Sequence, residues 1–196
     1  MKKIVLTGGP CAGKTTVLEE IKKEFQDKVV IVPEMATTLL RGFPVPGKDI
    51  HWTLSWQKSF QTAVVAMQRE AEKAHSIKAI QAGSRMLICD RGLLDGAAYT
   101  LGGLEEFSRR YEIKIEKALS EYEAVIHLES LAVGRQEYYG DTNNSLRFEN
   151  REEAIKLEHS TRKAWSMHPK HFFISCKNGL EGKIFETKKI LKMFLP

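Results

Sequence analysis

Residues 8–16, Gly8-Gly9-Pro10-Cys11-Ala12-Gly13-Lys14-Thr15-Thr16, place backbone freedom, a positive charge and two hydroxyls in one short stretch. They match the pattern G-x-x-x-x-G-K-[ST]. In that pattern backbone N–H groups cradle phosphate oxygens, the lysine reaches the outer phosphates and the first hydroxyl ligates Mg²⁺. The helix that follows adds the positive end of its dipole. Such a loop holds a nucleoside triphosphate. Whether a phosphoryl group is then passed on, given to water or only sensed depends on the carboxylates and arginines elsewhere.

Asp90 ends the apolar run Met86–Cys89 and can hold Mg²⁺ together with Thr15. Glu34 follows the β-branched run Val29–Val32 and Pro33, where a carboxylate can take a proton from an acceptor hydroxyl or hydrogen-bond it in place. Arg91 can pair with an acceptor phosphate or with Glu34, and Asp95, one helical turn before Tyr99, helps to shape an acceptor pocket. Arg147 and Arg151 are one turn apart across a helix start, and both can bring positive charge to a migrating phosphoryl group. Arg135 is a third arginine of that region. Asn178 can read a nucleotide base edge. Cys11 is a small residue that fits the loop.

These residues need strands that end beside the loop. The apolar runs Lys3–Leu6, Val29–Val32, Met86–Cys89, Ala124–Leu128 and His171–Ser175 read as those strands. Helical patterns lie between them. One runs from the loop to Gln26 and one from about Glu34 to Gly42. A third covers Trp52–Gln81, with Trp56, Phe60, Val64 and Met67 on an apolar face. A fourth passes through Leu104, Phe107, Tyr111, Ile115 and Leu119. A fifth, ending near Met167, opens on Asn150 and Glu153, a capping box, and a last one covers Leu180–Phe194. The stretch DRGLLDGAAYTLGG reads as a glycine-rich turn. Strands alternating with helices predict an α/β fold built from βαβ units, with ligands beyond the carboxyl ends of the strands. Residues 1–196 read as a single domain. Residues 129–150 form a lid-like segment of the kind that excludes water during transfer.

The chain has 196 residues, 42% hydrophobic and 28% charged, the composition of an ordinary globular protein. No apolar run reaches bilayer length and the apolar start is too short for a signal peptide, so a cytoplasmic location is expected. Three widely spaced cysteines argue against a disulfide framework or a zinc site. Net charge is +5, and the excess lies in residues 151–196. That quarter reads as a solvated helix face, with an anionic lipid or protein surface as the other reading. No aromatic-interleaved basic stripe marks a nucleic-acid interface.

The segments GGPCAGKTT, VIVPE, CDRGLLDGAAY and NSLRFENREEA together resemble the P-loop nucleoside and nucleotide kinases. In particular they are similar to the ribosylnicotinamide kinase domain of bacterial NAD regulatory proteins and to a small AAA-like ATPase group that shares its core. The resemblance implies a three-layer α/β/α fold with a five-stranded parallel sheet in the order 2-3-1-4-5. It implies a donor triphosphate on Gly8 to Thr16, Mg²⁺ at Thr15 and Asp90, and transfer assisted by Lys14, Arg147 and Arg151. Two departures concern the acceptor. Pro33 precedes the acidic residue, where deoxynucleoside kinases place it after, and the lid lacks a dense R-x-x-x-R pattern.

The leading expectation is a Mg²⁺-dependent phosphotransferase. ATP, with GTP as the other donor weighed, serves a small nucleoside-, nucleotide- or metabolite-type acceptor. The alternative is an ATP or GTP hydrolase, or a nucleotide-switched binding protein with a lipid or protein partner. The sequence contains no N-K-x-D motif for guanine, and it lacks the length for the helical lid domain of an AAA+ motor.

Overall fold

A computed structural model describes residues 1–135 and 150–195. Five strands, β1 (Lys2–Thr7), β2 (Val29–Val32), β3 (Met86–Asp90), β4 (Ala124–Leu128) and β5 (His171–Ile174), form one parallel sheet in the order β2-β3-β1-β4-β5. Period-two alternation divides the strand side chains between two cores. Val5, Leu87, Cys89 and Val125 face one side, and Ile4, Leu6, Met86, Ile88, Ile126 and Leu128 face the other. Helices α1 (Lys14–Phe25) and α8 (Gly179–Lys192) cover the second face through Val17, Ile21 and Leu191. The first face is covered by α3 (Leu54–Gln81), α4 (Gly103–Arg110), α5 (Ile115–Ser120) and α7 (Arg151–Trp165), and Phe107 and Trp165 are fully buried there. Two short helices, α2 (Met35–Leu40) and α6 (Leu131–Gly134), follow β2 and β4. The three-layer α/β/α architecture and strand order are those implied above.

Three elements differ from the sequence expectation. DRGLLDGAAYTLGG is not an open turn: Leu93–Tyr99 is a buried 3₁₀ helix. Its glycine is there for close packing, since a Cβ on Gly96 would lie 2.6 Å from the Phe107 ring. The helix expected through Leu104 and Leu119 is broken. Tyr111 ends α4, Glu112 has φ +51°, and Ile113 N–H donates to Ser108 O at 2.9 Å. The break turns Ile113 inward to 4% exposure, which an unbroken helix with the 104/107/111 face buried would not allow. The inward face of α3 is also mixed rather than apolar, because Gln61, Gln68 and Glu72 are buried along it with Phe60 and Val65. The α3 N-terminus is capped by Thr53, whose Oγ1 accepts from Trp56 N–H at 3.1 Å. Asn150 and Glu153 form the expected capping box on α7. Most of the lid-like segment, with Arg147, lies outside the described residues.

On β5, His171 lies edge-on to His127 with ring centroids 5.9 Å apart, and its Nε2 is buried without a hydrogen-bond partner among the described residues. Burial, then the neighbouring His127, Arg162 and His168, pushes its pKa from 6.5 down to about 4. Between those values the unfolded chain binds a proton that the folded chain refuses, so acidification through this window favours unfolding. His171→Phe is therefore expected to flatten the loss of urea stability between pH 7 and pH 4, by on the order of 1 kcal/mol after allowance for partial exposure. An unchanged slope would contradict the assignment.

Candidate nucleotide-binding site

The loop after β1 curls because its backbone leaves the right-handed regions repeatedly: φ is +141° at Gly8, +56° at Cys11 and +87° at Gly13. Backbone of that kind forms the concavities in which N–H groups hold anions. Gly8 can be nothing else, since a Cβ there would sit 2.2 Å from the Leu128 carbonyl oxygen. Gly8→Ala is expected to cost about 2 kcal/mol of stability and to abolish nucleotide binding in calorimetric titration. The Lys14 ammonium donates to the Gly8 and Gly9 carbonyls at 3.2 and 3.5 Å. Burial, then the Arg91 charge, lowers its pKa, while Glu34, Asp90 and Asp95 oppose that shift.

Asp90 ends β3 beside this loop, where β3 pairs in parallel with β1. Its Oδ1 is buried and has no hydrogen-bond partner among the described residues. Burial pushes its carboxyl up to about 6, helped by the neighbouring Glu34 and Asp95 carboxylates and opposed mainly by Lys14. A buried carboxylate oxygen that the protein leaves unbonded, beside a phosphate loop that carries Thr15, is suited to Mg²⁺. That ion takes few protein carboxylates and keeps phosphate and water ligands.

Arg91 has φ +69°, a conformation that strains a non-glycine residue and aims its guanidinium back across the strand ends. It donates through Nε to Glu34 Oε1 at 2.5 Å and through Nη1 to Gly8 O and Asp95 Oδ1, both at 3.1 Å. Asp95 is 3% exposed. Its carboxylate also accepts from Thr7 Oγ1, Gly92 N–H and Trp165 Nε1. Asp95 both lines the cleft and pairs with Arg91. Burial raises the Glu34 carboxyl, but the Arg91 and Lys14 charges and the Thr37 and Arg91 hydrogen bonds outweigh it and hold the pKa at about 2. Lys14, Thr15, Glu34, Asp90, Arg91 and Asp95 line one cleft of about 1580 Å³, which also takes in Trp52, Trp56, Phe60 and Gln61.

The model of the AAA domain family matches residues 3–183. The chain belongs to that family. Comparison with curated proteins finds no match. Family membership and fold together make the chain a P-loop NTPase-like domain, of the type that generally binds nucleotide with Mg²⁺. Among the described residues no helix is long and apolar enough to cross a membrane.

Other predicted residues sit at the margin of this AAA-domain cleft. Arg151 is exposed at the first position of α7 and outside the cleft lining, to which that helix contributes Glu153, Lys156 and Leu157. Asn178 is exposed before α8, and the cleft is lined there by Gly179 and Leu180. The basic quarter is partly neutralised, with Lys188 and Lys192 pairing with Glu24 of α1 at 3.0 and 2.7 Å.

Sequence reasoning missed three ties that shape the loop. Glu158 of α7 accepts from Gly9 N–H and from His127 Nε2, both at 2.7 Å. Lys183 of α8 donates to Ala12 O at 2.9 Å and to Glu129 O. Ser130 Oγ donates to Pro10 O. The available signal was positional. Glu158 stands on the face of α7 otherwise made of Ala154, Thr161 and Trp165, and Lys183 shares a face with Thr187 and Ile190.

Proposed function

We propose that the chain is a Mg²⁺-dependent phosphotransferase that moves the γ-phosphoryl of ATP to a small nucleoside-, nucleotide- or metabolite-type acceptor. The size and lining of the cleft carry this reading. A ligand pocket commonly fills about 300–1,000 Å³, whereas this one holds about 1580 Å³ and continues from the loop past Glu34 and Arg91 to the wall of α3. A hydrolase needs room only for water beyond the γ-phosphate. Here there is room for a second substrate, with charged groups between the two compartments.

In this reading Gly8 to Thr16 hold the triphosphate and Lys14 follows charge onto the migrating phosphoryl. Thr15 and Asp90 would hold Mg²⁺, which neutralises phosphate charge when bound. Glu34, ion-paired and strongly acidic, is a poor proton acceptor. It orients an acceptor hydroxyl by accepting its hydrogen bond, and the proton leaves late, as suits a loose transfer step. Arg91 places the acceptor or its phosphate, held by Asp95. Arg147 and Arg151 would act from the lid side, and Asn178 beside the base. ATP is the donor favoured over GTP.

Glu34→Gln tests the arrangement. It keeps a hydrogen-bonding group but removes the charge that aligns Arg91. Transfer from γ-labelled ATP is expected to fall about 100-fold or more, with ATP affinity within about threefold of wild type. Full transfer activity in Glu34→Gln would remove Glu34 from the mechanism.

A further inference from the structure

We propose that Glu72 is a positioning residue for Arg91: with Tyr122 and Gln68 it clamps the backbone at that arginine from behind the cleft. The inference rests on the phosphotransferase reading, in which Arg91 places the acceptor. Arg91 has φ +69°, and a non-glycine residue stays in that region only where its surroundings over-determine it. Two ties hold it there. The Arg91 carbonyl accepts from Gln68 Nε2 at 3.2 Å, and two residues on, Leu93 N–H donates to the Tyr122 hydroxyl at 3.0 Å. Both ties converge on one atom. Glu72 Oε1 accepts from Gln68 Nε2 at 2.7 Å and from the Tyr122 hydroxyl at 2.8 Å. Glu72 Oε2 accepts from the Lys3 ammonium at 2.7 Å, and that ammonium lies 4.4 Å from the centre of the Tyr122 ring.

The carboxylate decides the direction of both ties, because an ionised carboxylate only accepts. It turns the Gln68 NH₂ group toward itself, and the second hydrogen of that group is left for the Arg91 carbonyl. It also takes the Tyr122 proton, so the phenol oxygen presents its lone pairs to Leu93 N–H. Burial, then the Glu72 charge, holds the Tyr122 phenol well above its ordinary pKa, and that proton stays in place. Glu72, Gln68 and Tyr122 are all buried. Such a network is a costly way to fill a core, since apolar residues of similar volume in place of a buried ion pair are often neutral or stabilising. What apolar residues could not supply is the pair of backbone ties. Gln68 also lines the cleft, whereas Glu72, Tyr122 and Lys3 do not. Changes at Glu72 and Tyr122 therefore reach the acceptor side through Arg91 and its neighbours.

The test uses the full chain labelled with ¹⁵N-arginine. The Arg91 Nε–H signal is identified by its loss in Arg91→Lys, and its exchange with water reports the bond to Glu34. Binding of a non-hydrolysable ATP analogue with Mg²⁺ is read by calorimetry. Transfer from γ-labelled ATP to a pool of nucleosides, nucleotides and small metabolites is read separately. Glu72→Gln puts an amide donor against the Lys3 ammonium or the Gln68 NH₂ group, and Tyr122→Phe removes the hydroxyl that holds Leu93. Both are expected to speed the Arg91 Nε–H exchange about fivefold or more and to lower transfer about tenfold. ATP-analogue affinity should stay within about threefold of wild type. Phe25→Leu, in the core on the other face of the sheet, is a destabilising control and should change none of these. In the Arg91→Lys background Glu72→Gln should lower transfer no further, because the clamp acts through the guanidinium that this variant lacks. Unchanged exchange in folded Glu72→Gln and Tyr122→Phe, or losses that multiply with that of Arg91→Lys, would overturn the proposal. So would an equal effect of Phe25→Leu. A wild-type protein that transfers no label would remove the phosphotransferase reading alone, and the Arg91 signal would still decide the clamp.

Discussion

Lys14→Ala is expected to reduce ATP affinity and turnover by at least about 100-fold while the protein stays folded. The Lys14 ammonium sits at the meeting point of the Asp90, Glu34 and Asp95 charges and the loop, and its hydrogen bonds go to the Gly8 and Gly9 carbonyls. A phosphate group is a far stronger acceptor for an ammonium than a peptide carbonyl, because it adds a full negative charge opposite the positive one. The stabilisation therefore grows when nucleotide binds and grows again as charge spreads over the migrating phosphoryl. Loss of the side chain also leaves the Asp90 and Glu34 carboxylates with less opposing charge, which raises the cost of holding an anion nearby. Calorimetric titration with ATP and Mg²⁺, alongside a thermal melt, checks both halves. ATP affinity within about threefold of wild type would mean that the loop does not bind phosphate as described.

Glu158→Ala is expected to destabilise the protein by about 3 kcal/mol and to weaken nucleotide binding as a consequence. Glu158 is 2% exposed and joins three elements, α7, the phosphate loop and β4, through Gly9 N–H and the fully buried His127. Truncation would orphan a buried N–H and a buried imidazole at once, and an unpaired polar group in the interior carries its full desolvation cost. Burial raises the Glu158 carboxyl, but the His127 hydrogen bond and charge and the Gly9 and Ser130 backbone bonds outweigh it, so the pKa lies below 4.5. A depressed carboxylate contributes stability that is present above its unfolded pKa and lost as pH falls through the folded value. The difference between wild type and Glu158→Ala should therefore shrink on acidification below about pH 4. Urea melts at pH 7 and at pH 3 check this. A difference at pH 7 below about 1 kcal/mol would place the Glu158 contacts outside the folded state in solution.

What the sequence revealed and what it hid follow from the range of the interactions involved. The phosphate loop is legible because its chemistry is local: glycine, lysine and threonine act within a few residues of one another. Asp90 and Glu34 are legible as candidates because ligands of parallel sheets sit beyond the carboxyl ends of the strands. The α7 capping box is likewise a contact between neighbours in sequence. By contrast, the break at Glu112 is invisible to periodicity, since Leu104, Phe107, Tyr111, Ile115 and Leu119 keep helical spacing through it. Only the inward Ile113 betrays the break, and its burial depends on the finished core. The spacing of Asp95 and Tyr99 suggests a place in an acceptor pocket, and both line the cleft. The Asp95 partners Thr7 and Trp165 come from β1 and α7, so its work of holding Arg91 is a tertiary fact. Glu158 and Lys183 share this character. Each is a polar residue at a core-facing helical position, and the atoms that explain it belong to other elements.

The central claim is that the phosphate held by this loop is handed to a second substrate in the same cleft. The most direct measurement follows γ-labelled ATP with wild-type protein, Mg²⁺ and a pool of nucleosides, nucleotides and small metabolites, with Lys14→Ala as the control for contaminating activity. Label is expected to move onto an acceptor, with free phosphate forming much more slowly. Label appearing only as free phosphate, at a rate indifferent to every acceptor, would contradict it and identify a hydrolase.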